Sequence, residues 1–231
     1  PWSTNKYPIL VHEAIKTDDE KYYIFPLTST GLGNMEKYIE GKIDLPLDPE
    51  LNKAGFIIYD IDANICSVIS LDIYVDLFHI NHIEKLSNGV YKIYLPFIYD
   101  FMNFLNVTAD YPGLDMKEVT INITNNSVVE IYDTNLRMDF INNYGDYLIG
   151  SYLSEKPKAI FYNRKHKINH TLSIPGEVVR EMIPYNGMLL YFSHEKNLTE
   201  TFLYVVKMAD GDVLTKISVP NRPPGMHTTM Y

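Results

Sequence analysis

The sequence predicts an all-β chain, an array of about four antiparallel, four-stranded meanders. Three observations carry that expectation. Short runs of β-branched and aromatic residues, each bounded by turn residues, recur along the 231 residues. Helical periodicity is nearly absent. The C-terminal half also holds two matching copies of one succession of strands.

In chain order the strand candidates are Ile9-Leu10-Val11, Tyr22-Tyr23-Ile24-Phe25, Phe56-Ile57-Ile58-Tyr59 and Val68-Ile69-Ser70-Leu71. Val90 to Leu95, Val119 to Ile123 and Val128 to Tyr132 follow. Thr120, Asn122 and Thr124 alternate with Val119, Ile121 and Ile123, the pattern of a half-buried antiparallel strand. Helix candidates are few: Met35 to Glu40, closed by Gly41, and Phe97 to Leu105, preceded by Pro96. Val178 to Ile183 could pass for a helix, but the repeat assigns it to a strand.

The first copy of the repeat reads Asn143 to Ser151, Ala159 to Tyr162, then His170 to Pro175; the second reads Tyr185 to Ser193, Leu203 to Val206, then Leu214 to Pro220. The glycines Gly145 and Gly187 are 42 residues apart, the middle strands 44 and the prolines 45, as small loop insertions would produce. Ala209-Asp210-Gly211-Asp212 predicts a tight hairpin, because glycine supplies the positive φ. Pro175 and Pro220 would end the last strand on an edge, where a missing N–H costs little. One such sheet cannot bury both its faces alone; stacked on others like it, it can.

These residues resemble β-propeller blades, loosely those of quinoprotein-like and NHL-like repeats, in the phrase Tyr204 to Leu214 and its looser versions Phe56 to Ile65 and Val119 to Val128. The resemblance implies blades over 8–72, 76–133, 136–175 and 178–220, with a long loop at 28–53 and an insertion at 97–115. Residues 1–220 would form one propeller-like domain or part of a larger propeller, since four blades are few for a closed ring. Residues 221–231, with Pro223 and Pro224, read as an extended arm or linker. A start at Pro1 rather than Met reads as a processed chain or a piece of a longer one. The Trp-Asp signature and the docking Trp of quinoprotein repeats are missing, so quinone chemistry is not expected. The rival architecture is a β-sandwich or jelly roll. Leu95-Pro96-Phe97, Pro112-Gly113-Leu114, Asp133-Thr134 and Tyr147-Leu148-Ile149 resemble, in order, fragments of large-DNA-virus capsid jelly rolls.

Charge and composition remove several functions. Twenty Lys plus Arg against 29 Asp plus Glu give −9, unsuited to neutralising nucleic-acid phosphates. One cysteine excludes an internal disulfide and a Cys-rich zinc site; Cys66, in the apolar run Ile65 to Ile69, is expected as a small core residue. No apolar run is long enough to span a membrane. Asn-x-Ser/Thr sites at Asn106, Asn122, Asn125, Asn169 and Asn197 read either as glycosylation of an extracellular or surface protein or as the by-product of 19 asparagines. The free Cys66 argues against the extracellular reading.

Chemistry-bearing patterns are sparse. His79 and His82 would face opposite sides of a strand, so with Glu84 they could share a metal only on a helix. His166 and His170 lie in or beside the charged hairpin Asn163 to Lys167. Asp60, Asp62, Asp72 and Asp76 are the densest acids, yet lack the glycine and distal glutamate of an EF-hand loop and read as a solvated turn. No Gly-x-Ser-x-Gly, phosphate loop or His-Glu-x-x-His occurs. No catalytic residue, metal or cofactor is therefore assigned. Of the 19 tyrosines, Tyr22, Tyr23, Tyr91, Tyr94, Tyr99, Tyr111 and Tyr144 are expected at the surface, where tyrosine gives contact area with a polar tip. The candidate binding residues are Tyr22, Tyr23, Tyr99, Tyr111, Asp60 and Asp62. The expected function is a non-enzymatic domain that recognises a protein or glycan partner through loops at one end of the blades. The alternatives are a capsid-like sandwich that assembles with other chains and a glycoside hydrolase using paired carboxylates.

Overall fold

The computed structural model describes residues 14–27, 54–73, 77–78, 80–98, 114–152, 157–195 and 200–220. Every regular element among them is a strand, and the sheets fall into two compact units, 1–104 with 113–136 and 105–112 with 137–231.

The first unit holds two meanders. Strands β1 (Ile15–Lys16), β2 (Tyr22–Leu27), β3 (Gly55–Asp60) and β4 (Ile65–Ser70) pair in chain order, all antiparallel. The second meander has β5 (Leu77–Phe78) and β6 (His82–Ser87) on one edge of β7 (Val90–Ile98), followed by β8 (Leu114–Asn122) and β9 (Ser127–Leu136). Pro96 accounts for the divided edge. The Tyr94 carbonyl accepts from Asn81 N–H on that side, so residue 96, two places along, faces the same way with no N–H to offer. Pairing resumes at Phe97 and Ile98 with β5.

The second unit repeats the plan twice. Strands β10 (Asp139–Tyr144), β11 (Tyr147–Tyr152), β12 (Lys158–Asn163) and β13 (Ile168–Ser173) form the third meander. The fourth comprises β14 (Val178–Tyr185), β15 (Met188–Glu195), β16 (Glu200–Lys207) and β17 (Val213–Ser218). The four meanders match the four expected blades, except that β9 runs on to Leu136, past the expected boundary at 133, and the fold is a β-propeller-like array. Among the described residues each sheet is made of sequential neighbours and no strand crosses from one sheet to another, the order of propeller blades and not of a Greek-key jelly roll. The expected strand at 9–11 and helix at 35–40 lie outside the described residues, as does most of 97–105; Phe97 and Ile98 belong to β7.

Each unit buries one core by stacking its two meanders. In the first, Ile24, Phe56, Ile58 and Ile69 meet Tyr91, Ile93, Leu95, Val119 and Ile121. In the second, Ile149, Ala159 and Phe161 meet Val179, Met182, Leu189, Tyr191, Tyr204 and Val206. Each fully buried large apolar side chain contributes about 1.5–3 kcal/mol. Strand burial follows from this: β12 is buried from Ala159 to Asn163, while β17, last in its sheet, is exposed throughout. Two expectations need correction on the same ground. Thr120 is buried as well as Val119 and Ile121, because β8 is a middle strand buried on both faces. Cys66 is exposed, because its apolar run lies on β4, the last strand of its meander.

One turn recurs between the third and fourth strands. Asp60, Asn122 and Asn163 each close a third strand, and each side-chain oxygen accepts a backbone N–H three residues on, from Ala63, Asn125 and His166 at 2.8, 3.1 and 2.9 Å. Four residues later Asn64, Asn126 and Lys167 take φ of 56°, 50° and 53°. In the fourth meander this position falls to Gly211, at φ 79°, in a loop one residue longer. The Ala209–Asp212 phrase is therefore not a two-residue hairpin: Gly211 N–H bonds back to the Lys207 carbonyl at 2.9 Å. The glycines Gly145 and Gly187 also differ in role, being first and second in their two-residue turns. Asn186 and Gly187 both have positive φ, as a type I′ turn requires.

A Cβ on Gly55 would run into the Ile69 carbonyl of the neighbouring strand, whereas one on Gly145 meets nothing within 4 Å. We expect Gly55→Ala to cost about 2–3 kcal/mol in urea unfolding through overpacking. Gly145→Ala should cost about 1 kcal/mol, from its positive φ alone. Equal losses at the two sites would contradict this packing.

Candidate binding site

The β1–β2 connection of the first unit is shaped by Thr17. Its backbone N–H donates to the Tyr22 carbonyl at 2.9 Å, and its hydroxyl accepts from Tyr22 N–H at 3.2 Å. Glu20 sits at φ 60°, closing the turn. The fold of this turn directs Asp19 at the second meander. One Asp19 oxygen accepts from the Thr17 hydroxyl at 2.7 Å; the other accepts from Lys85 Nζ at 2.8 Å and from the Tyr91 hydroxyl at 2.9 Å. Burial would raise the Asp19 carboxyl, but the donors Lys85, Thr17 and Tyr91 outweigh it and hold it well below the carboxylate range. Burial, then the bond to Asp19, pushes the Tyr91 phenol up.

Beside this knot lies a corner made by Tyr22, Asp60 and Asp62. Tyr22 is half-buried, pairs with Asp60 across β2 and β3, and sets its ring edge-on to Tyr91 at 6.0 Å and 79°. Its phenol is raised by burial first, then by the charges of Asp60, Asp19 and Asp62. Tyr22 thus remains an O–H donor at neutral pH, with acidic acceptors around it. Asp62 is exposed in the turn, while Asp60 is also tied to Ala63 N–H.

Three of the six candidate residues are thus brought together, and Tyr23 is not among them. It points to the other face of β2, 36% exposed, tilted against Phe25 at 6.4 Å. Tyr99 and Tyr111 lie outside the described residues. The surface assignment of Tyr91 and Tyr94 is wrong: both are 1% exposed. A tyrosine can be buried once its hydroxyl has an acceptor, here Asp19 and, at 3.0 Å, Glu84. Tyr144 is exposed and accepts Gly187 N–H at 3.3 Å.

Of the Asn-x-Ser/Thr sites, Asn125 and Asn169 are exposed, Asn122 caps its turn, and Asn106 and Asn197 lie outside the described residues. So do His79 and Asp76. His82 packs its ring on Tyr94 at 5.7 Å, and the exposed His170 stacks on Phe161 at 4.5 Å. Asp72 accepts from the Ser70 hydroxyl at 3.3 Å. Among the described residues no three His, Cys, Asp or Glu side chains gather as a metal site would require.

The second unit has a knot of its own. Glu195 accepts from the Tyr204 hydroxyl at 2.6 Å and from Lys216 at 3.1 Å, and the Lys216 ammonium lies 4.0 Å from the Phe202 ring centre. Tyr191 stacks on Tyr204 at 5.4 Å and donates to the Pro175 carbonyl.

Sequence reading did not single out Thr17, Asp19 or Lys85. The Thr-x-Asp spacing of a hydroxyl–carboxylate turn was the available local signal for the first two. Lys85, 66 residues from Asp19, had none.

Because the Asp19 carboxyl is lowered on folding, its contribution to stability is complete above about pH 4, the ordinary aspartate range, and is lost as pH falls below it. Asp19→Asn should therefore be less stable than the wild type by about 1.5 kcal/mol at pH 7. The gap should close as the pH is lowered from 4, measured by urea midpoints across a pH series. A gap constant with pH would remove the charge from the account.

The sequence matches no protein-family model and no curated protein. The fold, by contrast, is shared with solved propeller-type structures. A variant of the Synechocystis apocarotenoid oxygenase superposes with a TM-score of 0.62 at 14% identity, over 89% of this chain and 50% of that one. The dihydro-heme d1 dehydrogenase NirN superposes at 0.52 and 12% identity, over 89% of this chain and 37% of its own. TolB from Acinetobacter baumannii gives 0.51 at 10%, covering 91% and 44%. The chain spans half or less of the length of each. At these identities the likeness shows the β-propeller-like fold and carries no family membership.

Proposed function

We propose that this chain is a binding module, a β-propeller-like scaffold that recognises a protein or glycan partner without covalent chemistry. The observation that supports the reading is the Tyr22–Asp60–Asp62 corner. A protonated phenol and two carboxylates sit together beside a knot that fixes their support. Such a corner offers acceptors to sugar hydroxyls or to the cationic side chains of a protein, and a donor in return. In this reading residues 1–220 act as one domain, and the segments 28–53 and 99–113 add contact surface.

The test is a printed glycan array and a peptide array, each probed with the wild type and with the Asp60→Asn, Asp62→Asn double variant. Asparagine keeps the turn-closing acceptor at position 60 while removing both charges. Expected is a ligand class bound by the wild type and weakened at least about tenfold in the variant. Equal binding by the two would reject the corner as the site, and no ligand on either array would reject the module reading for these classes.

A further inference from the structure

The turn after the third strand follows one backbone plan in the first three meanders but carries a different charge in each. In the first it holds Asp60 and Asp62, in the second no charged residue, and in the third Arg164, Lys165 and Lys167. The longer turn of the fourth meander carries Lys207, Asp210 and Asp212. The shared frame needs only the acceptor that opens it and a residue at positive φ that closes it, so the fold does not account for three cations in one turn. Arg164 serves the frame in part, its guanidinium donating to Asn143 Oδ1 and to the Gly145 carbonyl. Lys165 and Lys167 are exposed, on a loop whose N–H groups at Lys165, His166 and Lys167 are all held by Asn163. The chain's excess of acids belongs to the first unit, with nine Lys and Arg against 19 Asp and Glu; the second has 11 against 10.

This basic turn leads directly into β13, the last strand of its sheet. β13 has no charged residue, and Ile168 to Thr171 are all exposed. Just beyond it, Ile174 N–H donates to the Pro157 carbonyl at 3.2 Å, on the β12 side. Strand alternation then turns the N–H and C=O groups of Asn169, Thr171 and Ser173 away from β12. The fourth meander closes off the last of these: a Cβ on Gly211 would lie 2.8 Å from the Ser173 carbonyl. What is left is a short edge at Asn169 and Thr171, beside the cations. The other last strands differ. On β4 the Val68 carbonyl accepts from Asn126 Nδ2 at 2.8 Å, and β9 carries Glu130 and Asp133. An edge offers backbone donors and acceptors at the spacing of an extended peptide, which neither a sugar nor a nucleic acid matches.

We propose that β13 and the turn before it dock an extended acidic segment of a partner protein. The segment adds a strand along Asn169 to Thr171 and sets its carboxylates against Lys165 and Lys167. Asp210 and Asp212 flank Gly211 at the far end of β13, so the acids of the segment belong at the turn end. The surface lies in the second unit and uses no residue of the Tyr22–Asp60–Asp62 corner.

Fluorescence anisotropy on the 231-residue chain tests the proposal with two labelled peptides of alternating threonine and valine. One begins and the other ends with a pair of glutamates, since the direction of the added strand is open. The wild type should bind one of them in the high-micromolar range, and raising the salt from about 50 to about 500 mM should weaken binding at least about fivefold. The double variant Lys165→Gln, Lys167→Asn should bind at least about tenfold more weakly. Asparagine is what the first two meanders place at that positive φ, as Asn64 and Asn126, and circular dichroism checks the fold. Lys165→Gln alone, weaker by at least about threefold, serves should the double variant unfold. The same peptides N-methylated along the backbone should not bind, because a strand without N–H groups cannot pair with the edge. The proposal is overturned if neither glutamate peptide binds, or if the folded lysine variants bind as the wild type does. Retention of the N-methylated peptides, or tighter binding of a sulfated oligosaccharide than of either peptide, also overturns it, by making the turn a general anion site.

Discussion

A four-stranded sheet has two faces and, alone, no means of burying either. That constraint shapes everything else in this chain. Each unit answers it by laying one meander on the next, so the middle strands are buried, β8 on both faces with Lys117, Glu118 and Thr120 among its buried residues, and the last strand of each meander need not be. Phe56 and Ile58 on β3 and Phe161 on β12 do the burying; β17 is exposed along its length. Polar groups at the seam then meet in fixed geometry. Asp19 reaches Lys85 and Tyr91, and Asn126 donates to the Val68 carbonyl in the first unit. Asn142 reaches the Met182 carbonyl and Tyr191 the Pro175 carbonyl in the second. Each is worth about 1 kcal/mol net, small beside the apolar burial, but each is satisfied at only one alignment of the two sheets.

The recurring turn after the third strand explains how such different sequences arrive at one plan. Asp60, Asn122 and Asn163 supply the same acceptor at the same place, and the position four residues on is filled by Asn64, Asn126 or Lys167 in a left-handed conformation. Asparagine suits both positions, since its short amide bonds to nearby backbone and tolerates positive φ. Four of the 19 asparagines, Asn64, Asn122, Asn126 and Asn163, thus have a local mechanical role in these turns.

Which parts were legible in the sequence follows from what each part depends on. The boundaries of the fourth meander, 178–220 in the sequence and β14 to β17 in the fold, rest on β-branched runs and turn residues a few positions apart. Local signals suffice for such features. Burial of Tyr91, exposure of Cys66 and two-sided burial of β8 depend instead on which face of which strand another meander covers, and periodicity within one strand does not contain that. The Asp60–Tyr22 pair was half legible: both residues stood out, but their adjacency required the register of β2 on β3. Lys85, the partner that fixes Asp19, was invisible for the same reason at greater range.

The exposed last strands have a colloidal consequence. Ile65, Val129, Ile168 and Val213 stand in solvent on β4, β9, β13 and β17, each strand at the end of its sheet with one edge unmatched within it. Such edges are templates for another strand, and β4 and β13 contain no charged residue to interrupt them. A net charge of −9 opposes the approach of two copies, a repulsion that salt screens over about 8 Å at physiological ionic strength. The acidity of the chain therefore opposes edge-to-edge approach at β4 and β13, which lack the charges that Glu130 and Asp133 supply on β9 and Lys216 on β17.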